Sequence, residues 1–405
     1  MSSQSRVNVF RSFWRDLSLP ALSAGFVATL VGFTSSALIV FQAAASLGAT
    51  PAQTTSWVLS LGIGLGLTCI VLSLRYRMPI LTAWSTPGAA MMATGAVGTS
   101  MSDAIGAFIF VGLLAVLAGA TGAFERLMSR IPRSLAAAML AGVLLRFGMD
   151  IFVALQHQAA LVLTMCAVYL IGRRMASRYV VIATLIAGLV VAYASGLIRF
   201  SDIHVLPSEL VFTMPTFSWQ VLLGLGLPLF IVTMTSQNVP GVAALHAHDY
   251  RPPLSPVIGA IGAVNAVLAP FGCYALNLAA ITATLCMTEN VDRDPARRYT
   301  ASVCAGVFYL VMGAFAATIV AVFAALPREL VMAIAGLALL GTIGGSLSAA
   351  VIDDKQREPA IVSFLIAASG VSLWGIGAPF WALVGGLVVL AMLSWRPGRG
   401  AAKLV

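Results

Sequence analysis

The stretch Thr233–Gly241, TMTSQNVPG, gathers hydrogen-bonding side chains inside an otherwise apolar run. Gln237 and Asn238 must find partners there, because hydrocarbon offers none. Two readings stay open. Either the amides bind backbone groups released where Pro240 interrupts a helix, or they face a ligand cavity. A second polar island, Ser85-Thr86-Pro87-Gly88, lies within PILTAWSTPGAAMMATG (79–95). Thr86 followed by Pro87 predicts a hydroxyl N-cap with proline at the first helical position. A third lies in PFGCYALNLAAITATLCM (270–287), where Asn277 is read as the cap before a helical run through Leu278 and beyond. Helix starts present unpaired N–H groups and a positive dipole end, so the chemistry on offer is anion binding. Capping and ligand binding are compatible roles for Ser85, Thr86 and Asn277. Ser35 and Ser36 either join such a site or bond back to their own helix. Phe33, Trp84 and Tyr274 either line an aromatic pocket or serve as packing.

What is missing is as informative. The sequence places none of its fourteen Asp and Glu clearly at mid-membrane. Asp16, Asp103, Glu125, Asp150, Asp249 and Glu289 fall near span ends. A carboxylate within a span would be the default proton or cation site. Amides, hydroxyls and helix starts without a negative side chain favour a small anion with an apolar body. Cys69, Cys166, Cys273, Cys286 and Cys304 lie mostly in apolar runs without paired spacing, so they read as buried hydrophobes. No metal, cofactor or nucleophile–base motif appears, which argues against an enzyme. His246 and His248 read as solvated loop residues.

The elements that must hold these residues follow from composition. The chain has 405 residues, 60% hydrophobic and 9% charged, with mean hydropathy +0.98. A soluble chain carries about 25% charged residues. Continuous apolar runs without period-2 alternation predict an all-α polytopic membrane protein and argue against a β-barrel. We read spans near 20–46, 51–74, 79–97, 103–123, 132–149, 157–172, 179–198, 218–241, 253–269, 271–288, 300–324, 328–350, 359–374 and 377–394. The third and tenth are each expected to be a short strand followed by a half-helix.

Charge supports that count. With fourteen spans both termini share one side, and all Lys and Arg except Arg146, Arg199 and Arg328 fall there. The positive-inside rule makes that side cytoplasmic. Topology thus accounts for the net charge of +9, and nucleic acid needs no place among the partners. The halves also repeat: IPRSLAAAMLAGVLL (131–145) matches LPRELVMAIAGLALL (326–340), and TSS (34–36) sits at a place similar to TSQ (235–237). Seven spans being odd, the second half must enter the membrane inverted. Interrupted segments at matching places in inverted halves point to a transporter's binding site. The expected order is a cytoplasmic leader (1–19), a first repeat (20–198, with 20–123 as core part and 132–198 as gate part), and a periplasmic linker (199–217). A second repeat follows (218–394, core 218–324 and gate 328–394), then a cytoplasmic tail (395–405).

TAWSTPGAA (82–90), TSQNVPGVA (235–243), NLAAITA (277–283) and DPARRY (294–299) resemble the benzoate–proton symporter (BenE) family of bacterial inner membranes. The resemblance runs the length of the chain. It implies kinship in fold with the nucleobase–ascorbate transporters, in which a core domain carrying the site moves against a gate that often mediates dimerisation. It implies import of benzoate or a close aromatic carboxylate with a proton, and no cofactor. In those relatives a glutamate stands at the place of Gln237 and another at Leu276. Their absence here fits a carboxylate ligand. The substrate contacts expected are Phe33, Ser35, Ser36, Thr86, Pro87, Gly88, Gln237, Asn238, Tyr274, Asn277 and Leu278. A carrier of another small anion or of a nucleobase is the alternative. No residue identifies the proton carrier: the proton travels on benzoate itself, or a span-end acid such as Asp150 or Glu289 titrates.

Overall fold

The computed structural model describes residues 12–95, 98–122, 132–175, 180–198, 208–371, 373–374 and 378–394. The predicted tail, most of the leader and the first part of the linker lie outside the described residues. The chain is mostly helical. Its helices are α1 (Leu19–Ser46), α2 (Pro51–Tyr76), α3 (Thr86–Gly95), α4 (Met101–Ala120), α5 (Arg133–His157), α6 (Ala159–Met175) and α7 (Val180–Ala194). The second half continues with α8 (Trp219–His246), α9 (Leu254–Leu268), α10 (Ile281–Thr284), α11 (Tyr299–Ala314), α12 (Ala316–Ala324), α13 (Arg328–Val351), α14 (Arg357–Ser369) and α15 (Ala378–Ser394). Among the described residues six helices are long and apolar enough to cross a membrane, or eight if each bent pair counts as one span.

Two strands interrupt this pattern. β1 (Thr82–Trp84) and β2 (Leu276–Leu278) pair antiparallel, with Ala83 opposite Asn277. Sequence patterning expects the break at Pro79 and Pro87. It also expects one span over 300–324, but α11 and α12 meet at a 67° bend beyond Ala314. Linker residue Ser208 closes that break: its hydroxyl donates to the Ala314 carbonyl and accepts from the Ala317 N–H, both at 2.9 Å. The linker continues over the ends of the first-half helices. Val211 N–H donates to Ser56 Oγ, and the Thr216 hydroxyl donates to Asp103.

α8 departs from α-helical winding twice. Residues Leu222–Gly226 and Met234–Asn238 are π-helical, and each segment ends two residues before a proline, Pro228 and Pro240. Proline supplies no N–H to the carbonyl four residues earlier, so the helix widens instead of continuing its ladder. The second widening coincides with the polar run around Gln237.

Helices pack in matched pairs: α2 on α11, α4 on α9 and α5 on α13. Small residues allow the close approaches. Gly119 packs against Gly259, Gly62 against Gly313 and Gly336 against Phe147 and Ile151. Such contacts supply van der Waals attraction where lipid removes any hydrophobic drive between helices. The main buried cluster surrounds the β1–β2 ladder, and a second joins the ends of α5 and α13 to α6 and α7.

Candidate functional site

The β1–β2 ladder is the centre of the candidate site. Ser85 N–H donates to the Ala275 carbonyl at 3.1 Å, and Ala279 N–H to Leu81 at 2.9 Å, extending the pairing at both ends. α3 leaves one end of the ladder and α10 the other. Both helix N-termini therefore abut the ladder, with their positive dipole ends turned toward it.

The starts of these helices correct two expectations. Thr86 is the first helical residue and Pro87 the second; the cap is Ser85, whose Oγ accepts from Gly88 N–H at 3.1 Å. Ser85 wins because its extended backbone belongs to the ladder while its side chain reaches the third helical N–H, the usual capping geometry. Pro87 has no N–H and Gly88's is taken. That leaves the N–H and hydroxyl of half-buried Thr86 with no partner among the described residues. Asn277 is not a cap. It occupies the middle of β2, and α10 begins four residues later behind Ala280 without a side-chain cap. Its backbone serves the ladder and its Nδ2 donates to the Ala275 carbonyl at 3.0 Å. Its Oδ1 is fully buried and has no partner among the described residues.

Asparagines also close the outer edge of β2. Leu278 N–H donates to Asn238 Oδ1 at 2.9 Å and Leu276 N–H to Asn265 Oδ1 at 3.2 Å. Asn238 Nδ2 approaches Met234 Sδ at 3.3 Å, and Asn265 Nδ2 donates to the Phe108 carbonyl. On β1, Thr82 N–H donates to Cys69 Sγ, and its hydroxyl pairs with that of Thr68 at 2.6 Å. Asn265, Thr68 and Cys69 were not among the expected site residues. A lone asparagine in the apolar run of α9 was the signal available.

The aromatic candidates separate. Phe33 and Trp84 meet edge to face at 5.6 Å, and Trp84 Nε1 donates to Ser36 Oγ at 2.9 Å. Ser36 itself donates back to Gly32, so it both back-bonds and positions Trp84. Phe33 and Trp84 border a small apolar cavity with Val40, Val58 and Leu61. Tyr274 lies elsewhere, fully buried against Trp57 and Phe108, and donates to the Ser85 carbonyl at 3.3 Å. The placement of Ser35's side chain lies outside what is described. Gln237 is half-buried in the π segment, and its side chain makes no hydrogen bond to described residues. Gly88 and Gly241 admit close neighbours: a Cβ would lie 2.4 Å from Leu229 Cδ1 at the first and 2.6 Å from Leu278 Cβ at the second.

Beyond α10 the chain turns through Val291, and Arg298 braces that end. Its guanidinium donates to the carbonyls of Met287 and Asp292, both at 2.8 Å. The cation thus meets carbonyls that follow the short helix, matching that helix's negative end. Among the described residues no group of His, Cys, Asp and Glu is arranged to hold a metal.

The model of the BenE family, described as benzoate membrane transport protein, matches residues 15–392. The chain belongs to this family. It is a multi-pass membrane transporter and not an enzyme. Among curated BenE-like relatives, it is 47% identical to the inner membrane protein YdcO of Escherichia coli over 93% of this chain and 96% of that one. It is 37% identical to the benzoate membrane transport protein of Acinetobacter baylyi over 95% and 98%. Solved structures share the fold at low identity. The transmembrane domain of the cyanobacterial bicarbonate transporter BicA superposes with TM-score 0.55 at 13% identity, covering 94% of this chain and 99% of that one. SLC26A9 gives TM-score 0.62 at 11% identity, covering 93% of this chain and 65% of that one.

Proposed function

We propose that this BenE-family transporter imports benzoate, or a close aromatic carboxylate, across a bacterial inner membrane by proton symport. The observation that carries the reading is the family match over residues 15–392, joined to a ladder whose polar lining is amide, hydroxyl and thiol. The carboxylate rests at the helix starts, taking hydrogen bonds from Thr86 and from the N–H groups that open α10, within reach of Gln237 and Asn277. Pro87, Gly88, Asn238 and Leu278 shape the floor, and Phe33, Ser36 and Trp84 the apolar side, with Ser35 and Tyr274 retained as candidates.

The proposed architecture is a seven-plus-seven inverted repeat of fourteen segments with both termini cytoplasmic. Its support is that the helix pairings exchange under the repeat: α2 on α11 corresponds to α9 on α4, while α5 pairs with its own counterpart α13. Pro132-Arg133 and Pro327-Arg328 open those two counterparts in the same way. Core parts (20–123 and 218–324) move against gate parts (132–198 and 328–394) as an elevator, and the gate segments join two copies.

Uptake of radiolabelled benzoate into proteoliposomes under an imposed pH gradient tests this function. Accumulation above the outside concentration, abolished by an uncoupler and competed by benzoate but not by uracil or sulfate, is the expected result. Equilibration without accumulation would make the protein a passive pathway. Competition by sulfate or uracil would give the site to another ligand class.

A further inference from the structure

One cavity among the described residues does not touch the ladder. It lies on the other side of the polar π segment of α8, between that helix and the paired helices α5 and α13, and encloses about 230 Å3. Its wall combines one cation, three hydroxyls and aliphatic surface. Arg133, the first residue of α5, is exposed and has no carboxylate within ion-pair distance among the described residues. Thr235 and Ser236 contribute from α8, where their hydroxyls already donate to Ile231 and Val232 and keep only acceptor capacity. Ser346, in the penultimate turn of α13, is 9% exposed, and its hydroxyl has no partner among the described residues. Leu140, Val239, Gly345 and three alanines supply the remainder.

We infer that this cavity is a second substrate site, a vestibule that holds an aromatic carboxylate between the ladder and the cytoplasm. The inference rests on the transport reading given above. Size comes first: a dry cavity of about 150 Å3 admits benzene, so this one has room for a ring with a carboxylate attached. Chemistry comes second. A guanidinium with no ion pair among the described residues matches a carboxylate's two oxygens, and the Ser346 hydroxyl adds a donor. Aliphatic walls opposite them discriminate against inorganic anions, whose hydration they cannot replace. Position comes third. Arg133 starts α5 while Gly345 to Ala349 lie near the end of α13, so the cavity sits at one end of this helix pair, on the side the charge pattern makes cytoplasmic. Thr235 and Ser236 share their π segment with Gln237 and Asn238, so one widened helix turn separates the vestibule from the ladder.

The test is benzoate counterflow in proteoliposomes, with half-saturation measured separately from each face of wild type, Arg133→Gln, Arg133→Lys and Thr86→Val. A charge-assisted hydrogen bond is worth about 1.5–3 kcal/mol, so losing it raises half-saturation about tenfold or more. Arg133→Gln should do so at the cytoplasmic face alone, changing the opposite face less than about twofold, and Arg133→Lys should recover most of the loss. A monodisperse profile in detergent confirms that each variant folds. Unchanged half-saturation at both faces, or an equal rise at both, overturns the vestibule. If Thr86→Val is impaired in that case, the ladder reading survives alone. Wild type that exchanges no benzoate overturns both.

Discussion

Leu278 of β2 donates its N–H to the Oδ1 of Asn238 on α8 at 2.9 Å, a bond between backbone and side chain that replaces a missing third strand. Asn265 does the same for Leu276. A two-stranded ladder inside a membrane protein has two open edges, and each unpaired N–H or carbonyl there costs several kcal/mol. Here asparagine amides cover the β2 edge, and Cys69 takes the Thr82 N–H on that of β1. The ladder can then persist at a place where two helix starts, not continuous helices, meet.

Replacing either acceptor should therefore weaken the fold before it touches transport chemistry. Asn265→Leu leaves the Leu276 N–H buried without a partner, at a cost of about 1–3 kcal/mol. Thermal unfolding of the detergent-purified variant should show a lowered midpoint, with Asn238→Leu similar. If Asn265→Leu melts with wild type, the β2 edge is satisfied by some other route.

How much of this could be read beforehand differs residue by residue. The breaks at Pro79 and Pro87 were legible because proline restricts its own φ and that of the residue before it. Asn238 was legible because polar amides are rare in apolar runs. The cap was misread by one residue: Thr86 and Ser85 both carry hydroxyls, and only the ladder bond from Ser85 N–H to Ala275 decides between them. Asn277 was misread because a cap and a mid-strand asparagine look alike until the pairing register is known. The kink beyond Ala314 had no local signal, since its support comes from Ser208, far away in the linker.

Asn277→Leu should reduce benzoate transport severely while the protein still reaches the membrane. The variant removes a fully buried amide whose Nδ2 donates to the Ala275 carbonyl and keeps a second N–H that a carboxylate can take. Loss of a buried polar contact to an ionic ligand is worth on the order of 1–3 kcal/mol, or roughly five- to 150-fold in affinity. A ligand also raises the melting point of whatever binds it. Wild type should thus be stabilised by benzoate and the variant much less so. Equal benzoate-induced shifts would restrict Asn277 to holding the Ala275 turn.

Asp16 gives a pH-dependent prediction outside the spans. Its carboxylate is buried, with Arg77 Nη2 at 2.6 Å and the Tyr299 hydroxyl at 3.2 Å, and Arg77 stacks over the Tyr299 ring. Burial pushes its pKa up, but hydrogen bonds from Arg15 and Tyr299 and the charges of Arg15 and Arg77 outweigh this and leave it below the usual value. A folded-state value lowered in this way stabilises above the unfolded-state value, about 3.9, and the contribution fades as pH falls through the folded one. Asp16→Asn should cost on the order of 1–3 kcal/mol at neutral pH, and the gap in melting temperature should narrow below about pH 4. A gap independent of pH would mean that the carboxylate's charge contributes nothing to this contact.

Gln237→Glu tests the placement of the ligand beside α8. Gln237 is half-buried, its side chain makes no hydrogen bond to a described residue, and it sits in the widened π turn between the ladder and the cavity lined by Thr235 and Ser236. The substitution keeps shape and adds one negative charge, so it probes electrostatics more than packing. Like charges about 4 Å apart at an effective dielectric of about 20 repel by about 4 kcal/mol, roughly a thousandfold in affinity. Repulsion and burial both favour the neutral glutamic acid, so part of the penalty disappears wherever that residue is protonated. The loss should then be largest at alkaline pH and shrink as pH falls. Benzoate binding to purified wild type and variant, measured from about pH 5.5 to 8 across the range where a raised glutamate titrates, checks this directly. A variant that binds benzoate as tightly as wild type at the alkaline end would remove Gln237 from the neighbourhood of the carboxylate, and with it the proposed position of the site against α8.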